Sequence, residues 1–137
     1  MNGLRLGRKV ALPPAIRAGL ERIFGDAGAA IAQVAIIEHS LFARLHLAAV
    51  ATTRRRRIFL SGSAEDFFGD PALMLHEYCH VLLQWEPGAL TTPRYLRECL
   101  RHGYWNNPYE VEARTFAQRH LSRLRQLLSS GNEAGAP

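Results

Sequence analysis

His76-Glu77-Tyr78-Cys79-His80 places two imidazoles four residues apart, with a carboxylate beside the first. Four residues is about one helical turn, so both rings leave the same face of a helix at the spacing a single zinc ion accepts. Glu77 sits where it flanks a metal without binding it and can take a proton from a bound water. The flanks, Leu73-Met74-Leu75 and Val81-Leu82-Leu83, are apolar on nearly every side. A helix of that kind is buried, and burying three polar groups without partners is costly. A metal supplies the missing partner; two histidines satisfied within a core are the competing reading.

A catalytic zinc needs a third protein ligand and one position left for water. The candidates lie in Asn107-Pro108-Tyr109-Glu110-Val111-Glu112-Ala113, at the start of the last helix. At about 100° per residue, Ala113, Phe116, Ala117, Leu121, Leu124 and Leu128 form one apolar stripe. Glu110 falls near the edge of that stripe, whereas Glu112 points away with Thr115 and Arg119. Glu110 is the preferred ligand and Glu112 the second candidate. Glu110 also fits a capping-box-like start after Asn107, a role that needs no metal.

Several elements must position these groups. Leu12-Pro13-Pro14 opens a helix whose stripe is Ile16, Leu20, Ile23 and Phe24, and Gly25 ends it. Gln33 to Ile37, Val50 to Thr53 and Ile58 to Ser61 read as short strands. Ser40 can cap a short helix through His46. Ser61-Gly62-Ser63 and Phe67-Phe68-Gly69 read as loop. Asp70 caps a helix with Pro71 in its first turn, predicted to run to about Trp85, where Pro87-Gly88 breaks it. A further helix spans about Pro93 to His102, and the last runs from Asn107-Pro108 to about Ser129. A small polar tail follows, from about 130 to 137. The expectation is one α+β domain over residues 1–137, a small β-sheet packed on helices.

Composition bounds the function. The 137 residues are 47% hydrophobic, enough for a real core in one domain. The formal charge of +5 comes almost wholly from arginine and allows an anionic partner without requiring one. Cys79 and Cys99 read as reduced thiols, which favours a reducing compartment. No stretch reaches the ~18 to 20 apolar residues of a membrane span. Pro13-Pro14 and Arg17 interrupt any signal-peptide core, so the chain reads as cytoplasmic, or exported without a classical signal peptide.

His76-Glu77-x-x-His80 followed by Glu110-x-x-Ala113 resembles the gluzincins, zinc peptidases in which two helices bring two His and one Glu to the metal. The order Leu12-Pro13-Pro14-Ala15-Ile16-Arg17, Phe24-Gly25-Asp26, Ala51-Thr52, Ile58-Phe59-Leu60 and Leu75-His76-Glu77-x-x-His80-Val81 is similar to one bacterial group. Its members are metallopeptidase (HExxH) domains associated with extracellular contractile injection systems and toxins. The resemblance implies a minimal zincin-like fold, Zn²⁺ held by His76, His80 and Glu110, and Glu77 as general base on the metal's water. It implies a protein or peptide substrate, an extended chain received by the strand Ile58 to Leu60, and association with a toxin or injection-system component. An oxyanion donor is also wanted. Tyr109 is preferred over Tyr104 and His102, while an aromatic anchor for the last helix remains the other reading of Tyr109. Arg114 departs from the pattern, standing where many gluzincins carry an Asp that orients a ligand histidine.

Two alternatives stay open: a zinc-binding but catalytically weak interaction or assembly module, and a basic nucleic-acid-binding domain. The second would rest on Arg54-Arg55-Arg56-Arg57 contacting phosphates. Nothing aromatic interleaves that run and no nucleic-acid motif accompanies it, so it reads as a solvated turn between strands.

Overall fold

Among the described residues, four short strands form one sheet in the order β1-β2-β4-β3. The structure, a computed structural model, describes residues 7–40 and 51–134. The strands are β1 (Arg8–Val10), β2 (Ala35–Glu38), β3 (Ala51–Arg54) and β4 (Arg57–Leu60). β1 runs antiparallel to β2, β2 parallel to β4, and β3 antiparallel to β4. Alternation sends Ile36 of β2 and Ile58 and Leu60 of β4 into the core. Glu38 shares that buried face, where its carboxylate accepts hydrogen bonds from the Ala64 amide and the Arg8 guanidinium. One acidic side chain thereby ties β1, β2 and the next helix together.

β4 is paired on both sides, so its backbone has no edge to offer an extended peptide. This corrects the expectation for Ile58 to Leu60. Among the described residues the edge strands are β1 and β3, and β3 is the one that lies against the helix carrying His76 and His80. The arginine run is split by the hairpin: Arg54 ends β3, Arg55 and Arg56 form the turn, and Arg57 opens β4. Arg56 takes a left-handed φ of 59° and is held there by a two-pronged ion pair with Glu86.

Helix α1 (Pro14–Phe24) buries Leu20 and Phe24 and ends at Gly25, φ 59°. A 3₁₀ stretch (Gly25–Gln33) leads into β2. Helix α2 (Ala64–Phe68) replaces the expected loop: Ser63 Oγ caps the Asp66 amide, and Phe67 is buried against Tyr78. Helix α3 (Pro71–Cys79) starts where Asp70 Oδ1 accepts from the Leu73 amide, then continues as a π-wound segment (His80–Trp85). Helix α4 is Thr92–His102 and α5 is Pro108–Ala134. The last helix thus extends through the start of the expected tail. The predicted helix from Ser40 to His46 and residues 135–137 lie outside the described residues, apart from Ser40 itself.

The predicted stripe of α5 is the seam of the core. Ala113, Ala117 and Leu124 are buried, and Phe116 stacks on Phe24 with ring centroids 4.9 Å apart. Gly19 lets α1 approach closely, since a Cβ there would lie 3.3 Å from Leu124 Cδ1. This seam holds α5 against α3, the pair of helices that carries the candidate ligands. Among the described residues, no helix is long and apolar enough to cross a membrane.

Candidate metal centre

His76 and His80 project from successive turns of one helix, and Glu110 reaches them from the first turn of α5. Glu110 Oε1 lies 2.9 Å from His76 Nε2 and 3.1 Å from His80 Nε2, and the two ring nitrogens are 3.2 Å apart. Tetrahedral zinc with ligand bonds of about 2.0–2.1 Å holds its ligand atoms about 3.3 Å apart. The three residues therefore fit one such ion with shifts of a few tenths of an ångström. Two imidazoles and one carboxylate are also the donor set of a catalytic rather than a closed structural zinc site.

Asn107 explains why Glu110 arrives there. It is fully buried; its Oδ1 caps the Tyr109 amide, and its Nδ2 donates to the Tyr95 carbonyl and Cys99 Sγ. That latch fixes where α5 begins relative to α4. The Glu110 carboxylate does not turn back to close a capping box, because His76, His80 and the Tyr95 hydroxyl (2.7 Å to Oε2) engage it. Glu112, the second candidate, accepts instead from Gln84 Nε2 at 2.9 Å.

The electrostatics follow from burial. Burial pushes the Glu110 carboxyl up, but bonds from His76, His80 and Tyr95 outweigh it and hold the group below the usual carboxylate range. Burial pulls His80 down, yet its bond to Glu110 and the nearby charges of Glu77 and Glu110 raise it to about 9. Glu77 is only 5% exposed; burial raises its carboxyl, with the two histidines opposing. A base placed above the normal carboxylate range is better matched to neutral pH.

Tyr109 is placed differently from the expectation. Its hydroxyl donates to the Ala89 carbonyl at 2.9 Å, so it anchors the loop after the π segment. His102 pairs with Glu98. Tyr104 is in electrostatic reach of the cluster: burial, then the charges of Glu110 and Glu77, push its phenol up to about 12. Arg114 stacks on the Trp105 ring and donates to the Trp105 carbonyl at 2.6 Å, bracing the turn before α5.

Two contacts of the cluster escape the sequence reading. Tyr95 bonds Glu110, and Gln84 Oε1 lies 2.6 Å from His80 Nδ1. The signal for Gln84 was its place four residues after His80, which continues the spacing of the two histidines. Tyr95 gives no such signal, because it meets Glu110 only through the packing of α4 on α5.

Fold and site together define an α+β domain with a His-His-Glu group, assembled across two helices at metal-ligand spacing. No protein-family model, curated protein or solved structure matches the chain.

Proposed function

We propose that this chain is a zinc-dependent hydrolase domain acting on peptide bonds. One observation carries the reading: His76, His80 and Glu110 converge from two helices beside a buried, unligating carboxylate, Glu77. A divalent ion bound there would supply Lewis acidity, polarising a carbonyl and lowering the pKa of water to about 7.

The remaining chemistry belongs to the chain. Glu77 accepts a proton from the attacking water and returns it to the leaving amine. Its raised proton affinity suits both transfers. As an edge strand among the described residues, β3 would give an extended substrate main-chain hydrogen bonds, a mode with little side-chain selectivity. Trp85 steadies that strand from the π segment, donating to Thr53 Oγ1. A protein or peptide substrate is the class this arrangement suits, and a toxin or injection-system component is the partner the sequence resemblance suggests.

The test is metal analysis of untagged protein together with cleavage of an unfolded protein by wild type and Glu77→Gln. The expected result is about one zinc per chain in both, with turnover reduced at least ~100-fold in the variant. Zinc in both with no cleavage by wild type would assign the metal a structural role. Full activity in Glu77→Gln would overturn the mechanism.

A further inference from the structure

We propose that Gln84, oriented by Glu112 and the Tyr109 carbonyl, is a positioning residue. It keeps a proton on His80 Nδ1, so that Nε2, the nitrogen facing His76 and Glu110, is the one available to a metal. This inference rests on the metal-centre reading and adds to it the device that aims one ligand.

The hydrogen-bond inventory of one amide carries the argument. Gln84 Nε2 donates to the Tyr109 carbonyl at 3.0 Å and to Glu112 Oε1 at 2.9 Å. A carbonyl and a carboxylate only accept, so both amide hydrogens are committed and the nitrogen cannot be exchanged with the oxygen. Oε1 is thereby left facing His80 Nδ1 at 2.6 Å. An amide oxygen can only accept, so Nδ1 carries the proton. In a neutral imidazole the lone pair is then on Nε2, the nitrogen that meets His76 and Glu110.

Burial and winding support the same role. Gln84 is 1% exposed, and an amide so buried is retained only when its donors and acceptor are satisfied. In a straight α-helix, each step of four residues drifts roughly 40° around the axis, so Gln84 would lie roughly 80° from His76. The segment from His80 is instead π-wound, with the Glu86 amide bonded to the Val81 carbonyl at 3.0 Å. Each residue there advances by a smaller angle, which returns Gln84 to the face of the two histidines. Arg114, at the position where an orienting carboxylate was expected, bonds Trp105; Gln84 and Glu112 supply the orienting group from a different place.

The experiment measures zinc affinity by chelator competition and His80 ring-nitrogen spectra of zinc-loaded protein. Gln84→Met keeps the length and removes the amide; affinity should fall about 10- to 100-fold. The double variant Gln84→Glu with Glu112→Gln restores an acceptor for Nδ1 and a donor to hold it. It should recover most of the loss, whereas Gln84→Glu alone, with two carboxylates opposed, should not. In wild type, His80 should bind through Nε2 and carry its proton on Nδ1.

Coordination through Nδ1, or unchanged affinity in Gln84→Met, would overturn the proposal. Should Gln84→Met not fold, Glu112→Ala on the exposed side of the relay gives a smaller loss of affinity, and no loss counts against it. Wild type that binds no zinc sinks the metal-centre reading instead. The positioning role is then decided on metal-free protein at a pH where His80 is neutral. An Nδ1 proton that depends on Gln84 supports it, and the same tautomer without Gln84 refutes it.

Discussion

Glu110 Oε1 stands 3.1 Å from His80 Nε2 although thirty residues separate them in the chain. That distance joins α3 to α5 and converts a two-histidine motif into a three-donor cluster. Replacing Glu110 with Ala removes a donor and leaves two histidines without their carboxylate. Zinc affinity should fall by more than about 100-fold, while Glu112→Ala should cost less than Glu110→Ala. Chelator competition on both variants checks the assignment, and a larger loss in Glu112→Ala would reverse the choice between the carboxylates.

Tyr109 and Tyr104 should separate kinetically. Tyr109 donates to the Ala89 carbonyl, so Tyr109→Phe loosens a loop and should lower melting temperature with kcat nearly unchanged. Tyr104 lies within reach of the charges of Glu77 and Glu110. If it steadies the oxyanion, Tyr104→Phe should lower kcat about 100-fold with the fold intact. Paired melting and cleavage measurements give the answer, and a kcat loss confined to Tyr109→Phe would restore that residue to the chemistry.

Acid should weaken the β1-β2-α2 junction through Glu38. The bond from the Ala64 amide, opposed by burial and aided by Arg8, holds its carboxyl below its ordinary value. A depressed folded-state pKa contributes stability that is present above the unfolded value, about 4.3, and lost as pH falls below it. Urea midpoints of chelator-treated wild type should therefore fall more steeply from pH 6 to pH 3 than those of Glu38→Gln. Parallel curves would show that the junction contributes nothing to the acid transition.

Leu124 is fully buried beside Gly19, where α5 meets α1. Leu124→Ala should cost about 2–5 kcal/mol from lost transfer energy and the cavity left behind. Differential scanning calorimetry should show melting lowered by roughly 10 °C, with zinc stoichiometry unchanged in folded protein. A fall in stoichiometry would mean that the α1–α5 seam also sets the position of Glu110.

The spacing of His76 and His80, the phase of Glu110, the Asp70-Pro71 start and the Asn107 cap were all legible along the chain, because each is a local rule of helix geometry. The three candidate ligands followed from them, and the α+β class from those helices together with the short strands. β1 was missed because three residues, Arg8–Val10, show no alternation to read and are a strand only through pairing with β2. Phe67-Phe68-Gly69 looked like loop because the capping Ser63 heads only a five-residue helix.

What the sequence determined by itself is which residues could bind a metal and on which helices they lie, since side-chain direction repeats with helical period. The tertiary structure decided everything that depends on contact between distant elements. It put β4 inside the sheet and β3 at its edge, gave Tyr109 to Ala89 and Tyr95 to Glu110, and wound the helix after His80 so that Gln84 and Glu112 support the ring. Those outcomes depend on packing and on partners for buried polar groups, which no single segment specifies.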